Sequence, residues 1–145
     1  MILGIDPGLY GALAFHGATP VLYDMPLKDG AVDGRRLHEI IHVFRSEIEF
    51  AAVENVTSRP RQKGVFNFGV STGKVLGVLE ALSIPIVPVS PQKWKQAMGL
   101  RGADKQSSVE LAKTLVPAAA SQLTLKRHDG RAEALLIALF ASSLK

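Results

Sequence analysis

The chain predicts an α/β fold on a mixed sheet, an antiparallel meander followed by parallel strands, and three observations carry that reading. Short apolar runs rich in Val, Ile and Leu fill the start of the chain with Gly and Pro between them, the spacing of a β-meander. Beyond them, stretches of helical period alternate with short apolar strands, a pattern that pairs strands in parallel through crossover helices. The 145 residues, 47% of them hydrophobic with a mean hydropathy of +0.17, suffice for one core and are too few for two. Residues 1–145 therefore read as a single domain.

Each element follows from local pattern. The first strand, MILGID, stops just after Asp6 because Pro7 and Gly8 cannot extend it. GALAFHG and PVLYDMP complete the meander. In DGRRLHEIIHVFRSEI, Leu37, Ile40, Ile41, Phe44 and Ile48 recur at three- and four-residue spacings, which predicts a helix with Arg, His and Glu on its other face. EFAAVENV is apolar enough for a buried strand ending near Glu54. TSRPRQKGVFNFGVSTG is basic and contains glycine, predicting an exposed loop before a helix over STGKVLGVLEALS. IPIVPVSP reads as a strand whose prolines put it at a sheet edge. QKWKQAMG predicts a short helix, ADKQSSVELAKTLVP a longer one ended by Pro117, and HDGRAEALLIALFASSLK the last, apolar at Leu135, Leu136, Ile137, Leu139 and Phe140.

Composition narrows the chemistry. Without cysteine there are no disulfides or thiolate metal sites, so a bound metal must take oxygen or imidazole ligands, which favours hard cations. Lys and Arg number 17 against 13 Asp and Glu, a net charge of +4 that suits a polyanionic partner. The excess lies between Arg59 and Lys105, where eight basic residues face only Glu80 and Asp104. No apolar run approaches the roughly 20 residues of a membrane span, and the start lacks the basic region of a signal peptide, so a cytoplasmic location is expected.

Four acids stand out. Asp6 and Glu54 end two apolar strands, and Asp129 and Glu133, four apart, share a face of the last helix. Like charges at that spacing repel, and a divalent cation relieves the repulsion; carboxylate sites of this kind suit Mg²⁺ or Mn²⁺. Two such ions roughly 3.5–4 Å apart can bracket a scissile phosphate, activating water and stabilising the leaving oxygen. Each acid also has a plainer use. Asp6 can shape the Asp-Pro-Gly turn, Glu54 can be an ordinary edge acid, and Asp129 with Glu133 can simply favour a helix N-terminus. The combination favours catalysis.

GIDPG on the first strand, VENV ending the fourth, SPQKWKQAMGLRGADKQ in the middle and HDGRAEALLIALF at the end resemble the RuvC family of Holliday-junction resolvases over most of the chain. The resemblance implies a ribonuclease H-like fold, in which a five-stranded mixed sheet presents an acidic cluster that cuts phosphodiester bonds with two Mg²⁺ ions, leaving a 5′-phosphate and a 3′-hydroxyl. By motif position Asp6 resembles the metal-bridging carboxylate, Glu54 the second-strand ligand and Glu133 the acid of the last helix. The family's helix usually carries its two metal-facing side chains three apart; here that position is Gly130, so Asp129, or else His128, takes the fourth place. The HDGRAEALL ending is similar to phage-type members, which implies a bacterial or phage-infected cell.

For the substrate, Lys93, Lys95 and Lys105 lead as phosphate contacts, with Lys105 opening a helix whose N-terminus itself favours anions. Arg59, Arg61 and Lys63 extend the basic surface, and Phe66 and Phe68 in the basic loop are placed either to stack on bases at a branch point or to anchor the following helix. Trp94 reads as packing, its N–H meeting a local acceptor. A four-way junction is two-fold symmetric, so a homodimer is expected. Val75, Leu76, Val78, Leu79 and Leu82 offer apolar surface either for that interface or for the core. The reading is thus a metal-dependent junction-resolving endonuclease. Its rivals are a related nuclease for other branched DNA or RNA, and a non-catalytic nucleic-acid-binding module.

Overall fold

A computed structural model describes residues 1–55 and 63–145. Its main sheet has five strands: β1 (Ile2–Asp6), β2 (Ala12–His16), β3 (Val21–Asp24), β6 (Phe50–Glu54) and β7 (Ile86–Val89), in the spatial order β3-β2-β1-β6-β7. β1, β2 and β3 pair antiparallel, whereas β1 with β6 and β6 with β7 pair parallel, the mixed sheet expected from the sequence. Pro88 falls on β7 at the sheet edge, where a missing N–H costs no ladder bond. A two-stranded ribbon, β4 (Leu27–Lys28) with β5 (Ala31–Val32), was not legible beforehand, being only two residues long in each strand.

Among the described residues the α-helices are α1 (Gly34–Val43), α2 (Val65–Ala81), α3 (Pro91–Ala97), α4 (Lys105–Leu115) and α5 (Asp129–Ser142). The Asp33 carboxylate caps α1 and that of Asp104 caps α4, each accepting a backbone N–H of the first turn. α1 ends earlier than its periodicity suggests: Phe44 caps it, and Ile48 reaches the core from the turn that follows. α2 starts at Val65, after Gly64 in the left-handed region (φ 79°), so Phe66 and Phe68 sit on its first turns instead of in a loop. Two 3₁₀ segments, Pro117–Gln122 and Lys126–His128, join α4 to α5.

Side-chain size decides which helix lies on which face of the sheet. Strand alternation sends Leu3, Ile5, Leu13, Phe15 and Val53 to one face, where they form a core with α1 and α2. The other face carries Gly4, Ala12, Ala14 and Ala52, and there α5 lies with Ala132, Ala134 and Ala138 turned inward. Small residues on both sides let the helix approach closely. A Cβ on Gly4 would stand 2.0 Å from the Ala134 carbonyl oxygen. α3 and α4 pack beside α5 through Trp94, Val109 and Ala112. No helix among the described residues is long and apolar enough to cross a membrane.

Candidate active site

The small-residue face of the sheet also gathers the acids. Ile2 and Gly4 face α5, so with a two-residue period Asp6 faces it too; Phe50 and Ala52 place Glu54 on the same side. The parallel register pairs Ile5 with Val53, and its next step sets Asp6 level with Glu54 at the carboxyl ends of adjacent strands. Open α/β sheets carry their ligands beyond such strand ends. α5 begins there with Asp129, and Glu133 follows one turn along.

Asp6, Asp129 and Glu133 line a cleft of about 420 Å³ together with Lys95, Lys105 and Ser108. Glu54 is 8% exposed, does not line this cleft, and lines a separate pocket with Asn55 and Thr72. Its carboxylate Oε1 accepts a 2.8 Å hydrogen bond from the indole Nε1 of Trp94, which is wholly buried. The Gly8 N–H donates to Asp6 Oδ1 over 3.1 Å, so the turn-shaping use of Asp6 and its place in the cleft coexist. Lys95 Nζ lies 3.5 Å from Glu133 Oε1, and Lys105 Nζ 3.3 Å from Asp129 Oδ2.

Burial is costly for these charges. Desolvation pushes the carboxyls of Asp6, Glu54 and Glu133 above their ordinary range, and repulsion among them adds to the shift. Opposing it are the Gly8 N–H at Asp6, the Trp94 indole at Glu54 and the Lys95 ammonium at Glu133. Hard oxygen donors gathered in this way fit a divalent cation in kind. As the side chains stand, no three acidic or histidine side chains among the described residues converge closely enough to hold one ion. Lys95 and Lys105 stand against Glu133 and Asp129, the two acids that α5 contributes.

The uncertain fourth position is explained by packing. A Cβ at Gly130 would meet the Tyr10 carbonyl oxygen at 2.4 Å, so the helix leaves no room for a side chain there. Asp129 lines the cleft. His128 does not: it is 5% exposed, its Nδ1 accepts the Leu125 N–H over 3.3 Å, and burial lowers its pKa.

The substrate residues divide. Lys95 and Lys105 are in the cleft; Lys93, beside buried Trp94 on α3, is exposed and outside it. Lys63 is exposed ahead of α2, and Arg59 and Arg61 lie outside the described residues. Phe66 is 81% exposed whereas Phe68 is partly buried. On α2, Val75 and Leu79 are core residues and Leu76, Val78 and Leu82 pack against them, so the apolar stretch considered for a dimer interface mostly serves this chain's own core. The outward face of α2 carries Phe66 and Val70 instead.

Three residues of the site escaped the sequence reading. Trp94 packs as expected, but the acceptor its indole N–H finds is not local: it is Glu54, 40 positions away in the chain. Ser108 follows Lys105 by three residues, a helical spacing that puts both on the cleft; its Oγ lies 3.5 Å from Glu133 Oε1. Tyr10, at the cleft rim, sits within the turn that Asp6 opens.

A mixed five-stranded sheet in this order, with helices on both faces and acids at the ends of its central strands, is the ribonuclease H-like architecture. Among solved structures the chain superposes on Thermus thermophilus RuvC in complex with a Holliday junction substrate, with a TM-score of 0.66 at 21% identity over 99% of this chain and 94% of that one. It also superposes on another Thermus thermophilus RuvC structure, with a TM-score of 0.63 at 21% identity over 98% and 95% of the two chains. The fold is therefore RuvC-like. In sequence, 72 residues are 40% identical to the chloroplastic Holliday junction resolvase MOC1 of Chlamydomonas reinhardtii, a stretch covering 49% of this chain and 8% of that relative. No protein-family model matches the chain.

Proposed function

We propose that the protein is a RuvC-like endonuclease that resolves four-way DNA junctions by paired phosphodiester hydrolysis with divalent metal. The observation that carries this reading is the set of carboxylates, buried Glu54 with half-buried Asp6 and Glu133, all with raised pKa, collected with Asp129 near the carboxyl ends of β1 and β6. Buried charges of one sign are retained where an opposite charge is to be bound. The RuvC-like fold and the stretch related to a junction resolvase support the same assignment.

Asp6, Glu54, Asp129 and Glu133 are the residues that would hold two Mg²⁺ ions. Such ions would supply Lewis-acid stabilisation of charge at the scissile phosphate and activation of water. Lys95 and Lys105 pair with Glu133 and Asp129 and are the cations placed to contact a phosphate in the cleft. Trp94 keeps one Glu54 oxygen occupied and leaves the other for ligation. Lys63, Lys93 and Phe66 extend the contact to flanking DNA, with Arg59 and Arg61 in the adjoining segment. Two-fold symmetric incision calls for a homodimer, for which the outward face of α2 at exposed Val70 is the proposed surface. Residues 1–145 act as one domain in this scheme.

The test is cleavage of a synthetic four-way junction with Mg²⁺, beside matched duplex, three-way and RNA–DNA hybrid substrates. Symmetric paired nicks confined to the junction are expected. Asp6→Asn should fold and bind the junction without cutting it. Equal cleavage of all substrates would leave the nuclease chemistry and remove the junction specificity, and binding without any cleavage would mark a binding module.

A further inference from the structure

The turn from β1 to β2, Pro7–Gly11, carries a large aromatic side chain that the fold does not use. Tyr10 is 92% exposed, so its ring contributes nothing to either core. Its backbone, by contrast, is held on three sides. Gly11 N–H donates to the Gly8 carbonyl over 2.9 Å, Met25 N–H donates to the Gly11 carbonyl over 3.0 Å, and Gly130 of α5 lies directly against the Tyr10 carbonyl. A rigid stem thus presents a free ring.

That ring stands between two depressions. On one side is the acidic cleft; on the other is a groove of about 230 Å³ lined by Leu9, Met25, Leu27, Asp24 and Arg127. Leu27, 46% exposed, and Met25 give the groove apolar surface, and exposed Arg127 gives it a cation that makes no ion pair among the described residues. Asp24 does not oppose an anion there, because Arg131 holds its carboxylate with two hydrogen bonds of 2.6 and 2.9 Å. An aromatic plane, apolar surface and a guanidinium next to a phosphate-cutting cleft match one nucleotide: base against the ring, phosphate on the cation.

We propose that the groove behind Tyr10 is a subsite for the nucleotide flanking the scissile phosphate, with its base stacked on Tyr10 and its phosphate held by Arg127. This rests on the nuclease reading above. The subsite positions the strand by making the flanking base leave its neighbour, a step that is easiest at a branch point, where stacking is already interrupted. Tyr10 is accordingly a binding and positioning residue that takes no part in proton transfer.

The test uses junctions with 5-iodo-deoxyuridine placed in turn on either side of the incision, irradiated in complex with the Asp6→Asn protein. Crosslinking to Tyr10 from a flanking position is expected. In the otherwise natural protein Tyr10→Ala should weaken junction binding or raise KM by roughly 5- to 100-fold, the range for loss of one stacked base, while Tyr10→Phe retains both. Arg127→Ala should reduce the salt dependence of binding by about one phosphate contact. Because Tyr10 is exposed, unchanged thermal melting should accompany the Ala variant. Crosslinks confined to other residues, with Tyr10→Ala binding and cutting like the natural protein, would overturn the subsite and leave the nuclease standing. A natural protein that neither binds nor cuts branched DNA overturns both.

Discussion

Gly4→Ala probes how the fold builds the site. Gly4 lies on β1 beneath α5, and a Cβ there would stand 2.0 Å from the Ala134 carbonyl oxygen and 2.9 Å from the Ala138 Cβ. Ordinary contact begins at 3.4 Å, so helix and strand must part by roughly 1.4 Å, and the obstacle is helix backbone that no rotamer change can move. Overpacking of this kind costs about 1–3 kcal/mol, which for a chain of this length lowers Tm by roughly 3–10 °C. The functional cost should be larger. Asp6 is two residues beyond Gly4 on the same face, and Glu133 immediately precedes Ala134, so the parting separates the two carboxylates directly. Displacement of about 1 Å in a positioned site costs on the order of 100-fold in rate. Circular-dichroism melting paired with single-turnover cleavage at 25 °C, where the variant remains folded, reads both effects. A Tm within about 1 °C of the natural protein, or undiminished cleavage, would refute the claim that the α5–β1 distance sets the geometry of the acids.

Trp94→Phe should cost about 1–3 kcal/mol in denaturant unfolding followed by circular dichroism, because it leaves the buried Glu54 carboxylate without its donor. Adding Mg²⁺ should narrow that deficit; a deficit indifferent to Mg²⁺ would remove Glu54 from the metal ligands. Asp24→Asn tests the surface pair with Arg131, whose hydrogen bonds hold the Asp24 carboxyl below the usual carboxylate range. A depressed pKa stabilises the fold above the unfolded-state value near pH 3.9 and loses that contribution as pH falls through the folded value. With Asp24 half exposed, the difference between natural protein and variant should be only about 0.5–1 kcal/mol at pH 7 and should be lost as the pH falls through the folded-state value. A difference that persists at low pH would locate the effect in shape instead of charge.

Much of the architecture could be read locally because strand period and turn residues are local properties. Asp6 and Glu54 were recognisable as strand-terminal acids from the apolar runs before them, and Asp129 and Glu133 as one helical face from their spacing. Helix boundaries were less legible. Phe66 and Phe68 read as loop because glycines and basic residues surround them, whereas α2 begins at Val65, with Ser71 and Val75 as its first buried residues. The 40 residues between Glu54 and Trp94 hid their hydrogen bond in the same way, since nothing local links the fourth main-sheet strand to a tryptophan on a short helix.

The sequence by itself determined the element types, the alternation that turns even-numbered residues of β1 and β6 to one face, and the excess of positive charge along the middle of the chain. Tertiary structure decided which strands are neighbours, and hence that Asp6 stands level with Glu54. It also decided that Lys95 and Lys105, but not Lys93, face the acids, and that the place of Gly130 is taken by the Tyr10 carbonyl. The physical reason is one of range. Backbone conformation and amphipathic period are set by residues a few positions apart, whereas the site depends on α5 settling against Gly4 and its alanine neighbours, a close approach made by residues more than a hundred positions distant in the chain.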